Sequence, residues 1–303
     1  MDIKYILAFN KSDYEFIRKK YIDVELKPDN LEGQLLSGRY EFIKKIQEKK
    51  NTIIYEVHCQ LTEKTFIAEV HRKKYDVSDP YYMDIWKEME QLSKVKHENV
   101  LSIFDFGNDN GIVYAVKEYF SIKTLGDYLI DNPKPYLEDA ISLSRQILLG
   151  MSFVEERICE GELEISNLDI CPENIFVSDS GKIKINFPWP YEYGFDHIEE
   201  CENYHYMSPE AARGIKLLDL NGHVYSFGCV LYRLFTGRTP FIGDELVKLA
   251  MEHLQTVPES PTSINELIPK SISDVIEKCM QKDPSKRYSL CEKILRECNL
   301  LRM

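Results

Sequence analysis

The stretch Asn167–Pro190, NLDICPENIFVSDSGKIKINFPWP, decides how the chain is read. It carries Asp169 and, five residues on, Asn174: a carboxylate and a neutral amide in one short loop. IFVSDSGKIKI follows, alternating apolar and polar residues about a Ser-Asp-Ser-Gly turn, which is the pattern of a β-hairpin. The hairpin delivers the chain to Asn186, Phe187, Pro188 and Trp189, with no acid at its exit. The loop therefore raises a question of chemistry that its surroundings must answer.

Working outward, residues 1–36 read as an extension in which Ser12 caps a short helix carrying Phe16, Ile17 and Tyr21, before the turn-rich KPDNLEG. From Arg39 the pattern changes to strands. NTIIYEVHCQ and KTFIAEVHR are β-branched and aromatic, joined by a short polar turn. YYMDIWKEMEQLSKVKHENV has helical spacing at Ile85, Met89, Leu92 and Val95, and VLSIFDFGNDNGIVYAVKEYF is a second hairpin turning at Asp109-Asn110-Gly111. Beyond Phe120 the chain is mainly helical. Ile141, Ser144, Ile147, Leu148, Met151 and Val154 line one helix, while SFGCVLYRLFTG is apolar nearly all round and ends at Gly237. Ile272, Val275, Ile276, Cys279 and Met280 mark another amphipathic helix. A small strand-rich part, 37–120, followed by a larger helical part, 121–303, gives an α+β, two-lobed domain.

Bulk properties narrow the function. With 38 basic against 50 acidic residues the net charge is −12, which argues against nucleic acid and anionic lipid as partners. No apolar run approaches a membrane span; the best, FGCVLYRLF, is broken by Arg233. Eight scattered cysteines without a CxxC pair read as reduced thiols in a cytoplasmic protein, and no zinc-ligand spacing is present.

Four motifs, PENIFV within that opening stretch and then YMSPEAARG, VYSFGCVLYRLFTGRTPF and DPSKRYS, follow one another in this order. Together they resemble the eukaryotic-type protein kinase family, its serine/threonine branch in particular, over about residues 38–300. The resemblance implies a two-lobed kinase fold and six pieces of chemistry: a glycine loop, a phosphate lysine, its glutamate partner, a catalytic aspartate, and an asparagine and an aspartate on magnesium. Asp169 and Asn174 fill the base and metal-ligand positions of the catalytic loop, although Asn167-Leu168 replaces His-Arg and Cys171 replaces a lysine. A rival register on Glu162 and Asn167 loses the hairpin that should follow.

Elsewhere the sequence departs from the family. Gln47, Lys49 and Thr52 stand where three glycines would be, and Glu69 takes the place of the phosphate lysine. Glu88 keeps the helix glutamate, and Lys117, followed by Glu118, occupies the gatekeeper position. A charge exchange in which Lys117 serves Glu69 and Glu88 is one reading; Lys117 facing solvent is the other. Lys49 or Lys50 reaching the phosphates is a further alternative. The metal aspartate is replaced by Phe187 without a gap, or by Asn186 with a one-residue deletion. His223 stands for the aspartate that ties the buried helix to the catalytic loop, and Glu210 and Arg287 match the family's structural ion pair. Between Asn186 and Met207 there is no serine or threonine, which leaves Tyr191, Tyr193, Tyr204 and Tyr206 as modification candidates.

The expectation is a catalytically impaired kinase-like domain, a pseudokinase acting as scaffold or allosteric regulator on a protein partner such as another kinase or its substrate, with no cofactor. One alternative is an unorthodox active serine/threonine kinase using ATP and magnesium through Asp169 and Asn174. The other is a nucleotide sensor that binds without metal.

Overall fold

The computed structural model describes residues 28–49, 51–75, 80–165, 168–187, 204–213, 220–243 and 245–298. Expectations placed on Ser12, Phe16, Ile17, Tyr21, Lys50, Asn167, Pro188, Trp189, Pro190, Tyr191 and Tyr193 lie outside them. The chain forms two units, Met1–Met83 with Ile103–Tyr119 and Asp84–Ser102 with Phe120–Met303.

The first unit is an antiparallel sheet built from β1 (Leu35–Leu36), β2 (Tyr40–Glu48), β3 (Thr52–Cys59), β4 (Lys64–His71), β5 (Ile103–Asp109) and β6 (Ile112–Glu118), in the order β1-β2-β3-β4-β6-β5. Strand periodicity sends alternate residues to one face. Tyr55 pairs with Ala68 and Ala68 with Val116, so these residues share a face with Val57, Val70 and Tyr114 and build the sheet's core. Phe42 packs edge-on against Tyr55 at 4.9 Å. Each such fully buried side chain contributes on the order of 2 kcal/mol. The β5–β6 turn uses Asn110 and Gly111, both at positive φ (52° and 87°), the two-residue geometry that matches strand twist.

Residues 28–36, read from the sequence as the end of an extension, belong to this sheet. Leu31 and Leu36 are fully buried, β1 pairs with β2, and the Tyr55 hydroxyl donates to the Pro28 carbonyl at 2.8 Å.

Helix α1 (Pro80–Leu92) buries Ile85, Met89 and Leu92, spaced to fall on one face. In the second unit α2 (Leu125–Asp131) opens on a capping box between Thr124 and Asp127. Helix α3 (Leu137–Cys159) buries Leu143, Ile147, Met151 and Val154 along one stripe. Three-residue strands β7 (Ile175–Val177) and β8 (Ile183–Ile185) form a hairpin with no register shift. It is held in place where Leu101 N–H donates to Ile185 O (2.8 Å) and Ile185 N–H to Asn99 O (2.9 Å).

The short α4 (Pro209–Ala212) is capped by Ser208, whose hydroxyl accepts from Ala211 N–H. Helix α5 (Leu220–Thr236) is buried nearly all round, from Val224 to Phe235. It ends at Gly237, whose φ of +83° suits a left-handed cap. Helices α6 (Leu246–Gln255), α7 (Pro261–Ile264), α8 (Lys270–Cys279) and α9 (Cys291–Glu297) complete the unit. Sheet-rich and helix-rich units together make an α+β chain with a curled-sheet lobe and a helical lobe. Among the described residues no disulfide forms and no helix is long and apolar enough to cross a membrane.

Candidate active site

On the sheet, register assembles a buried charge cluster. Glu69 lies opposite Ile54 and Ala115, and Lys117 lies opposite Ile67, so the two side chains share the face turned away from the Tyr55 core. They sit diagonally on neighbouring strands, within reach of a lysine. Lys117 Nζ donates to Glu69 Oε2 at 2.5 Å, with side-chain exposures of 3% and 2%. Thr52, on the same face, donates its hydroxyl to Glu69 Oε1 at 3.0 Å. Burial alone would push the Glu69 carboxyl up; the Lys117 and Lys49 ammoniums, with the hydrogen bonds from Lys117 and Thr52, hold it below the usual range. Burial pushes the Lys117 ammonium down, and the Glu69 carboxylate beside it acts in the opposite direction. Glu118 closes β6, half-buried. Glu88 is buried on α1 in the second unit.

The tip of the β2–β3 hairpin, where the resemblance would place glycines, is a braced turn. Lys49 N–H donates to Thr52 O at 2.8 Å, and Gln47 sits at the end of a register shift in β2. Arg72, just past β4, clamps this tip: its Nε donates to Lys49 O at 3.0 Å, its guanidinium pairs with Glu48 at 3.2 Å and with Asp29, and its N–H meets Asn51 O at 2.9 Å. Sequence reading passed over Arg72, because its partners meet only once the hairpin has folded back. The signal was its position at the end of β4, beside the strand that carries Glu69.

In the second unit the catalytic-loop residues come together. Asn174 ends a 3-10 turn, Pro172–Asn174, and its Nδ2 donates to Asp169 Oδ2 at 2.8 Å and to Asp169 O at 3.1 Å. Asp169 adopts φ of +35°, a left-handed conformation that costs free energy in any residue with a Cβ. The two bonds from Asn174 hold it there. Asn186 N–H donates to Asn174 O at 2.8 Å, which brings the exit of β8 to the same place. Asn186 and Phe187 are both buried, and Cys171 is fully buried among the packed loop residues. His223 is buried near the start of α5.

Glu210 on α4 meets Arg287 in a two-pronged pair, Oε1 to Nη2 at 2.8 Å and Oε2 to Nη1 at 3.2 Å. Arg287 also donates to the carbonyls of Asn221 (2.8 Å) and Gln281 (2.7 Å), so a fully buried guanidinium is satisfied around its rim. The pair ties α4 to the segment that follows α8.

The donor set can be tested against magnesium. Among the described residues no cluster of three histidine, cysteine or acidic side chains could hold a metal ion. One carboxylate, Asp169, with the amide oxygens of Asn174 and Asn186, is a hard but weakly charged set. It fits an ion that arrives on phosphate oxygens and keeps water, not a resident cation.

Residues 40–298 match the family model of the protein kinase domain. A probable serine/threonine-protein kinase of Clostridium perfringens is 30% identical over 268 residues, covering 87% of this chain and 38% of that protein. The serine/threonine-protein kinase PrkC of Bacillus subtilis is 29% identical over 265 residues, 86% of this chain and 40% of its own length. A probable serine/threonine-protein kinase of Clostridium acetobutylicum is 28% identical over 275 residues, 88% of this chain and 40% of its length. The chain thus spans well under half of these relatives. The comparisons correct the expectation of a catalytically impaired scaffold: such broad similarity to proteins named as kinases favours phosphate transfer. At Glu69, the departure that suggested the loss, Lys117 pairs with the carboxylate and offsets its charge within the sheet.

Proposed function

Because the chain belongs to the protein kinase domain family, we propose that it is an ATP-dependent protein serine/threonine kinase of unorthodox construction. The observation that carries this reading is the Asp169–Asn174 couple at 2.8 Å, with Asp169 at a strained backbone position held by two hydrogen bonds from Asn174.

In this reading Asp169 accepts the proton of the substrate hydroxyl, and Asn174 fixes the carboxylate that receives it. The side-chain amides of Asn174, bonded to Asp169, and of Asn186, at the exit of β8, are the oxygen donors proposed for the cation. Magnesium, when bound with the nucleotide, supplies positive charge to the phosphate oxygens. Lys49 on the braced hairpin tip takes the role of phosphate lysine that Glu69 cannot fill. The Lys117–Glu69 pair keeps that strand's buried acid neutralised so that it does not repel the triphosphate.

The test is transfer of label from γ-labelled ATP to a mixed serine/threonine peptide library, with magnesium and with manganese. Asp169→Asn is expected to lower transfer by roughly 10²–10⁴-fold, the span of general-base catalysis. Wild-type label no higher than that of Asp169→Asn, with either metal, would sink the proposal.

A further inference from the structure

We propose that a cleft wholly within the helical unit, between α3 and the β7–β8 turn, is a docking site for an acidic peptide segment of a protein partner. The cleft measures about 600 Å³, within the ordinary range of binding pockets. Three cations line it, Arg145 from α3 with Lys182 and Lys184 from the hairpin, against one acid, Glu98. In a chain of net charge −12 this local excess of positive charge is against the trend, and it selects an anionic partner.

The walls are preformed. Gln146 on α3 bridges the hairpin, its Nε2 donating to Gly181 O at 2.9 Å and its Oε1 accepting from Ile183 N–H at 3.1 Å. From the other side Asn99 Nδ2 donates to Ile183 O at 3.3 Å. Lys184 Nζ reaches Val100 O at 3.4 Å and lies 5.7 Å from the centre of the Phe120 ring. A site already braced in this way loses little entropy on binding.

The chemistry of the lining separates a peptide from other anions. Leu149 and Phe120 add apolar surface to the same lining, which suits a side chain such as leucine beside carboxylates. A free phosphate would meet the same arginine and lysine side chains without using the apolar surface, so the inorganic-phosphate arm of the test separates it from a peptide. Nucleic acid would need many more cations to offset the overall charge. The cleft also lies at the closed end of the hairpin whose open end holds Asn174 and Asn186, about 10 Å away at the rise of a three-residue strand. Docking there would place a partner protein beside the frame of the catalytic loop.

The test needs no nucleotide and is independent of catalysis. A fluorescein-labelled peptide rich in glutamate, with leucines between the acids, is titrated with the protein by fluorescence polarisation. A lysine-for-glutamate version and inorganic phosphate are run in parallel. Saturable binding of the acidic peptide is expected, weakening with added salt and falling at least about tenfold in Arg145→Glu/Lys182→Glu. Lys182→Glu alone, at an exposed turn position, is expected to show part of the loss and covers the case in which the double variant misfolds. Absence of saturable binding to wild type would overturn the proposal. So would equal binding of the lysine peptide, affinity unchanged in well-folded charge-reversal variants, or full displacement by inorganic phosphate.

Discussion

Lys117 and Glu69 form an ion pair almost out of reach of water, and its value to the fold depends on both partners being present. Each ion loses its hydration on burial, and only their mutual attraction with the Thr52 hydrogen bond offsets that cost. Lys117→Met is therefore expected to destabilise the protein by about 3–5 kcal/mol, since it leaves Glu69 charged and buried. Glu69→Leu combined with Lys117→Met should lose less than Lys117→Met alone, because no ion is then stranded. Urea denaturation of the two variants measures this; additive losses would show that the side chains are uncoupled. Two anomalous residues made the exchange legible in sequence as chemistry. Their contact follows from the β4–β6 register, which sequence does not state. The clamp by Arg72 was not legible for the same reason, as its partners Asp29, Glu48 and Lys49 come from different segments.

At the scale of elements, α3 shows how packing overrides propensity. A Cβ added at Gly150 would meet Asn99 O at 2.9 Å and Ile185 Cδ1 at 3.0 Å, because the helix lies directly on the strand leading to Asn186. The carbonyl belongs to the backbone that pins β8, so it cannot move aside cheaply. Alanine favours an isolated helix by about 1 kcal/mol over glycine, yet overpacking of this kind costs about 1–3 kcal/mol. Gly150→Ala should thus lower the urea midpoint; a gain in stability would show that helix and hairpin can part without loss. The apolar stripe of α3 was plain from its spacing, since four turns repeat the same period. Strand β1 was not, since two residues carry no period at all; Leu31 fell in the turn-rich stretch and Leu36 at the end of the extension, although both are fully buried.

For the molecule as a whole, motif order along the chain conveyed the two-part architecture, while its buried titrating groups came to light only with packing. His71 in the sheet unit is pushed down to about 4 by burial, and His253 in the helical unit down to about 3, where it sits between Tyr225 and Phe241. Glu155 on α3 is pushed up to about 7 by burial, although it accepts from Cys291 N–H at 2.7 Å and faces the Cys291 thiol. The histidines take up protons near 6.5 when unfolded but only below about 4 and 3 when folded, so stability rises with pH across that window. Their share is roughly 3 and 5 kcal/mol. Glu155 has the opposite sign: the folded state holds its proton to about 7 and the unfolded chain releases it near 4.5, so roughly 3 kcal/mol is lost as pH rises between them. The sum places maximum stability near pH 6.5, with a steep fall on the acid side and a shallow one toward pH 7. Urea midpoints across pH 4–8 should trace that shape. His253→Phe is expected to flatten the acid limb, and Glu155→Gln, which keeps an oxygen for the Cys291 N–H, to remove the alkaline decline and raise stability at pH 8. An alkaline limb unchanged in Glu155→Gln would mean that this carboxyl is ionised in its pocket well below neutrality, with the α3–α9 contact already adapted to the charge.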